Sequence, residues 1–520
     1  MSLTLLPANV ANRLLTLDTF NKQGIIASGG AFFIGWSFAK LCISTYNISR
    51  EVRFMKEVTM RKLFSLLLSL LCALGLAWQC AAASRQPVSQ AYIDKYFTSV
   101  AAASCLGVYL PENSTEFNYL RSYGWRIMPQ QLRSGRVETN FVIAHNYFPE
   151  LKQRIFLVTF RGTASKKDWS INLRTNRVNY GGNTLAEMQA LAKEPLRKGE
   201  PAVHSGFNTY VDTVLKSSVL DDKGRLRGVF KAVAERSDAV MVLSGHSLGG
   251  AAATLLGQRL LDLGMPPERL CVVSFGAPAI GNEAFATTYG GRMRLLRITN
   301  TADPVPGSLQ TFFGGYKQFG QHIKYSLSPK LNSVQHDMAM YFDYSVSDFY
   351  QEYDRQVELG RIIPAPDSKL TMGKPVVALW IHESANLNKV ATIMDLKRFV
   401  TDEYKRMLPS YVVMNKSLAK DAYTHENIVD KSRYSGADYI LVCGIDGYRQ
   451  PEADGWYLTL DQVLFDEQGR MLTMSSLGRK VLPAVGNIQA VGESLMAARK
   501  ELNAQLPFVL EQFEPKLVQW

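Results

Sequence analysis

The chain has 520 residues, of which 47% are hydrophobic and 20% charged, with a formal net charge of +12. That length exceeds what one hydrophobic core organises, so two or three domains are expected, and the composition excludes a fibrous or disordered chain. The positive charge would suit nucleic acid or an anionic membrane. No zinc-finger spacing, RNA-binding aromatic signature or dense Lys/Arg block accompanies it, so no nucleic-acid partner is expected and the charge reads as a solvated surface.

The first strong pattern is "MRKLFSLLLSLLCALGLAWQCAAASRQ", which starts at Met60. Arg61 and Lys62 are its basic start, 63–78 its uncharged apolar run, and Ala81-Ala82-Ala83 its small-residue end. Residues 60–83 therefore read as a signal peptide or a membrane anchor. The run closes on small residues instead of a charged stop, which favours cleavage after Ala83. Cys80 would suit a lipoprotein only if small residues preceded it, and Trp78 and Gln79 are bulky. Residues 1–59 stand ahead of this signal. Two readings stay open: the natural start is Met60 or Met55, or 1–59 is a real extension whose run 24–39 touches a membrane. The expected location is secreted or periplasmic (cell envelope), or membrane-anchored if 63–84 is retained. The six cysteines, at 42, 72, 80, 105, 271 and 443, contain no CxxC pair. That argues against a disulfide framework and a zinc site, leaving Cys105, Cys271 and Cys443 as isolated buried thiols after cleavage.

From 84 to 361 the pattern alternates between strands and helices. A helix over 89–109 precedes "TNFVIAHNYF" and "QRIFLVTF", which read as a β-hairpin. "AVMVLS", "RLCVVSF" and "MRLLRITN" are near-continuous apolar runs, as strands buried on both faces require. Helices over 208–216, 247–263 and 283–289 would cover them. The fold class is α/β.

The stretch "VMVLSGHSLGGAAATLL" sets Ser247 between Gly245 and Gly249, after a buried strand and before an alanine-rich helix. G-x-S-x-G in that context is a nucleophile elbow. The glycines let strand and helix approach closely while the turn holds the serine in strained backbone angles. The helix start behind it offers N–H groups and a positive dipole end to a developing oxyanion.

Several ordered motifs join that elbow: "FRGTASKKDWSINL" from Phe160, "VHSGF" from Val203, "GHSLGGA" from Gly245, "FGAPAIGNEAFA" from Phe275, "NTADPVP" from Asn300 and "HDMAMYF" from His336. Together they resemble the fungal-type, or class three, lipases of the α/β-hydrolase fold. The resemblance covers about half of the chain. It implies an α/β-hydrolase fold with a predominantly parallel sheet, and a carboxylic-ester hydrolase working without metal or cofactor on lipid esters at a membrane or lipid–water interface.

A serine nucleophile needs a histidine and an acid. Seven histidines are available. His246 lies within the elbow and cannot easily turn back onto its neighbour's hydroxyl. His145 sits in the early hairpin, His204 in the motif that the resemblance makes structural, and His382 and His425 in the later region. His322, in the strand-like "GQHIKYSL", and His336, at the head of a helical "HDMAMYF", remain. The resemblance assigns the base to His336, and the chain order Ser, Asp, His agrees. Asp303 becomes the orienting acid, on a loop stiffened by Pro304 and Pro306 at the C-terminal edge of a strand; Asp337 is the substitute. The oxyanion donors implied are the N–H of Leu248 and a group at Thr163. The resemblance places Asp168 and Trp169 where family members carry a lid; the alternative reading is that the Asp-Trp pair only locks the loop.

Residues 362–375, including "IIPAPDSKLTMGKP", read as a linker to a separate C-terminal α+β domain at 376–520. Its expected strands are "VVALWI", "SYVVMN" and "ADYILVCGI", with helices over 388–407 and 424–435, a hairpin "GWYLTLDQVLFDEQGRML" and an amphipathic helix over 488–506. It faintly resembles the amino-terminal domain of TolB-like periplasmic proteins, which implies binding or assembly and names no partner. The rival function is a non-catalytic lipid- or envelope-binding protein on a lipase scaffold, and a complete Ser247, Asp303 and His336 set argues against it. If the signal is cleaved as expected, N-terminal sequencing of protein from its native source reads from Ser84; a sequence from within 1–59 overturns that reading.

Overall fold

The computed structural model describes residues 87–520 except 111–113, 135–136, 150, 163–175, 327–334, 390–394, 415–423, 451–454, 482–485 and 506–520. The expected signal or anchor at 60–83 and the extension at 1–59 lie outside the described residues. Among the described residues no helix is long and apolar enough to cross a membrane.

Among the described residues nine strands build the first half: β1 Arg126–Ser134, β2 Val137–Phe148, β3 Gln153–Phe160, β4 Arg177–Asn179, β5 Ala202–His204, β6 Ala239–His246, β7 Leu270–Phe275, β8 Arg294–Asn300 and β9 Gln321–Tyr325. Strands β4 and β5 pair only with each other, and the other seven form one sheet in the order β1-β2-β3-β6-β7-β8-β9. The expected hairpin is β2 and β3, antiparallel, with Phe148 opposite Gln153. From β3 to β9 every neighbour is parallel. Strands β6 and β7 are buried along their whole length, which is why they read as unbroken apolar runs. Strand β1 is not legible in the sequence, because "RIMPQQLRS" is polar and contains Pro129. Its place at the sheet edge explains both, since a proline's missing N–H is tolerated there.

Helix Leu248–Asp262 follows β6 and is buried from Gly249 to Leu261, in keeping with its Gly-Ala-rich first turns. Helix Gln90–Gly107 opens at Ser89, whose Oγ accepts from the Tyr92 N–H at 3.1 Å. It packs beside Met338–Glu358, a helix of 21 residues of which only the first turns were expected.

The second sheet holds β10 Ser368–Lys369, β11 Val377–Glu383, β12 Tyr411–Val413, β13 Tyr439–Gln450, β14 Gly455–Asp466 and β15 Met471–Lys480, in the order β10-β12-β11-β13-β14-β15. Part of the expected linker is thus a strand, β10, paired with β12. Helices Leu396–Met407, His425–Tyr434 and Asn487–Gln505 accompany this sheet. The sheet is separate in its hydrogen bonding, but its core is continuous with that of the first: the Tyr119 ring lies 5.7 Å from Phe342 of the long helix and 5.7 Å from Phe399 beside the second sheet.

A fully buried polar contact helps tie the two halves. Asp343, fully buried on the long helix, accepts from the N–H groups of Asn487 at 2.6 Å and Ile488 at 2.9 Å, at the start of the last helix. Those N–H groups have no acceptor within their own helix. Asp343→Ala leaves both buried and unpaired, so urea unfolding should show a loss of about 1–3 kcal/mol; a midpoint unchanged from wild type would remove Asp343 from this role.

Candidate active site

Strand β6 delivers Ser247 at its C-terminal end, and helix Leu248–Asp262 leaves at once. Ser247 has φ 57° and ψ −124°, a backbone conformation costing of order 1–3 kcal/mol for a non-glycine residue. Close packing enforces it. A Cβ on Gly245 would run into the backbone of Gly249, and a Cβ on Gly249 into the Phe160 carbonyl at the end of β3. Ser247 is 5% exposed, and its N–H donates to the Phe275 carbonyl at 2.9 Å. Leu248 is the first residue of the helix, so its N–H has no intrahelical acceptor.

The residue after Phe275 lies against the Asp303 and His336 side chains. Gly276 has φ 56°, and a Cβ there would sit 2.7 Å from Asp303 Oδ2 and 3.0 Å from His336 Cε1. Ser247, Asp303 and His336 therefore gather around one short backbone segment at the end of β7. His336 Nδ1 lies 2.7 Å from Asp303 Oδ2. A carboxylate only accepts, so Nδ1 carries the proton and the ring's lone pair falls on Nε2.

Asp303 is held from three sides. Its Oδ1 accepts from the Val305 N–H at 2.9 Å, and its Oδ2 accepts from the Tyr341 hydroxyl at 2.7 Å as well as facing His336. Tyr341 in turn accepts from the Asn300 N–H at 2.9 Å. Burial and the adjoining Asp303 carboxylate push the Tyr341 hydroxyl's pKa upward, so it remains a donor. The Asn300 side chain donates to the Gln335 carbonyl at 2.9 Å, fixing the approach to His336. Gly276, Tyr341 and Asn300 were not singled out from sequence. All three sit inside quoted motifs, Tyr341 within "HDMAMYF", but their contacts with Asp303 and His336 arise only through the fold.

The other candidates separate. Asp337 caps the long helix, its Oδ1 accepting from the Ala339 N–H at 2.9 Å. His322 is exposed on edge strand β9, with Nε2 2.7 Å from Thr299 Oγ1. The buried His204 Nδ1 accepts from Gly206 N–H at 3.1 Å as a helix cap. His246 stacks near the site, its ring centroid 4.4 Å from that of His336 and its Nδ1 3.4 Å from the Tyr109 hydroxyl. Burial and the neighbouring His336 hold His246 well below the ordinary imidazole range, so it stays neutral. His145 is buried on β2, where burial with Arg126 and Arg154 lowers it to about 4. His382 and His425 belong to the second-sheet half. Thr163, Asp168 and Trp169 lie outside the described residues, and Gly162, just before them, is buried beside Tyr109 and the His246 carbonyl.

Residues 157–312 match the model of the family "Lipase (class 3)". Phospholipase A1 EG1, chloroplastic/mitochondrial, of Oryza sativa subsp. indica is 31% identical over 167 residues, 30% of this chain and 36% of that protein. Galactolipase DONGLE, chloroplastic, of Arabidopsis thaliana is 30% identical over 179 residues, 31% of this chain and 35% of that protein. The chain thus spans about a third of the length of these relatives. A crystal structure of a lipase from Rhizopus microsporus var. chinensis matches with 21% identity and a TM-score of 0.35, covering 48% of this chain and 80% of that one.

The crowding at Gly276 has a measurable consequence. Gly276→Ala should push Asp303 and His336 apart, moving the His336 Nδ1 proton out of the low-field NMR position that a short bond to a carboxylate produces. An unchanged resonance would show that the pair tolerates the methyl group.

Proposed function

We propose that this protein, whose residues 157–312 form a class 3 lipase segment of the α/β-hydrolase type, is a serine hydrolase of lipid esters, with acylglycerols or phospholipids as substrates. The observation that carries the reading is Ser247 at φ 57°, strained and next to the backbone segment on which the His336–Asp303 pair closes at 2.7 Å. The names of the relatives, phospholipases A1 and a galactolipase, support membrane lipids as the substrate class. A secreted or envelope location is part of the proposal and rests on residues 60–83 alone.

In this mechanism Ser247 Oγ attacks the ester carbonyl while His336 Nε2 takes its proton. The resulting oxyanion accepts from the Leu248 N–H and from a donor at Thr163. Collapse expels the alcohol, which receives the proton from His336, and leaves the acyl group on Ser247. Water then attacks the acyl-enzyme, His336 takes and returns its proton, and the fatty acid departs. Asp303 keeps the imidazole in the Nδ1–H tautomer and stabilises it when charged. Tyr341 and Val305 hold the carboxylate in place for that task.

Ser247→Ala should abolish hydrolysis and fluorophosphonate labelling with the fold intact, and Asp303→Asn should cost roughly 10⁴-fold in turnover. His336→Ala should be comparably severe, and adding it to Ser247→Ala should change little, because the groups act as a unit. His322→Ala should retain most activity. A silent His322 variant beside an active His336 variant would overturn the assignment. Rates over a panel of acylglycerols, phospholipids and galactolipids identify the preferred head group.

A further inference from the structure

A side chain that the proposed mechanism does not use reaches the surroundings of Ser247 from the first helix. Helix Gln90–Gly107 is tied to β6 near its end, where Cys105 Sγ and Ser244 Oγ lie 3.1 Å apart in the core. The helix closes tightly. The Tyr109 N–H donates to the Leu106 carbonyl at 3.2 Å, and the Leu110 N–H to the Gly107 carbonyl at 2.9 Å. Tyr109 is thereby delivered, on a fixed backbone, to the C-terminal ends of β3 and β6.

Its hydroxyl lies between two neighbours of the nucleophile. One is His246, the residue before Ser247, whose Nδ1 is 3.4 Å away. The other is Gly162, two residues beyond the end of β3. A Cβ there would strike the Tyr109 hydroxyl, sit 2.7 Å from the His246 carbonyl oxygen and lie 3.5 Å from Ser247 Cβ. Only glycine fits among these three groups.

The chemistry of the two rings fixes the direction of their contact. Burial pushes the Tyr109 pKa upward, against an opposing pull from the Gly162 backbone N–H, so the phenol keeps its proton. His246 is held neutral by its burial and by His336, so one of its ring nitrogens must be an acceptor. The nitrogen that faces the hydroxyl is Nδ1. The phenol therefore donates to His246 Nδ1, which leaves the His246 proton on Nε2. The His246 ring in turn lies 4.4 Å from that of His336, centroid to centroid, tilted by 35°.

We propose that Tyr109 is a positioning residue of the Ser247 site, its hydroxyl joining the backbone at Gly162 to the ring of His246. It holds the chain after β3 against the elbow, and it fixes the tautomer and plane of the ring that neighbours His336. The inference rests on the hydrolase reading and deepens it. Tyr109→Phe keeps the edge-on packing against His246, with centroids 6.1 Å apart at 71°, and removes only the hydroxyl. It should lower kcat on a soluble short-chain ester about tenfold and leave KM within about twofold, in a protein that thermal unfolding shows to be folded. Nitrogen-15 NMR of the His246 ring supplies a readout that needs no turnover. In the wild type Nε2 should carry the proton and Nδ1 should show the shift of a hydrogen-bond acceptor, and Tyr109→Phe should lose that shift. An unchanged kcat in the folded variant, a loss carried by KM alone, or an unmoved Nδ1 signal would overturn the proposal. So would a wild-type His246 protonated on Nδ1, whether or not the variant folds. A wild type that hydrolyses no ester and takes no fluorophosphonate fails the hydrolase reading itself, whereas an active wild type beside an equally active Tyr109→Phe fails only the role given to Tyr109.

Discussion

The close approach of β3, β6 and the helix after β6 is the constraint on which the site depends. Gly245 and Gly249 bring the helix start against the end of β6, and Gly249 lies on the Phe160 carbonyl of β3. Any side chain there would lift the helix off the sheet. With the helix pressed down, the single residue joining the two elements has no relaxed conformation available, and Ser247 takes φ 57°. Burial of β6 and of most of the helix supplies the stabilisation that offsets this local cost. Strain at Ser247 and N–H groups without intrahelical acceptors at the helix start are one geometric result of that packing.

The long helix Met338–Glu358 does work at both of its faces. Its N-terminal approach carries His336, and five residues on, Tyr341 reaches back to Asp303. Two residues further, Asp343 caps the last helix beside the second sheet. The C-terminal region is therefore joined to the element that orients the proposed acid and base by the buried Asp343 carboxylate, by the Ser347–Asp395 and Arg398–Asp354 contacts and by a continuous apolar core. That arrangement differs from two domains joined by a loose linker, and the short strand β10 within 362–375 reinforces it.

Much of this architecture was legible in the residues. The apolar runs that became β6, β7 and β8 fit strands buried on both faces, and the hairpin of β2 and β3 followed from two strand patterns separated by a polar turn. Helix Glu283–Tyr289 has the bounds expected, and the structure shows Asn282 capping it, its side chain accepting from the Phe285 N–H. Strand β1 escaped because an edge strand need not be apolar, and most of Met338–Glu358 because it mixes aromatic, acidic and apolar residues without a clean period.

The sequence by itself determined the elbow and its neighbours in the chain: glycine spacing around Ser247, an acid at Asp303 after a strand, and a histidine at His336 before a helix. Those features are local, written in steric demands that a few adjacent residues must meet. Tertiary structure decided what no local pattern encodes. It set His336 on Asp303 and left His322 on an exposed edge strand beside Thr299. It recruited Gly276 and Tyr341 to the acid. These are consequences of which surfaces meet when the strands are ordered β3-β6-β7-β8-β9, and hydrogen bonds between residues 33 or 38 positions apart exist only after that ordering is made.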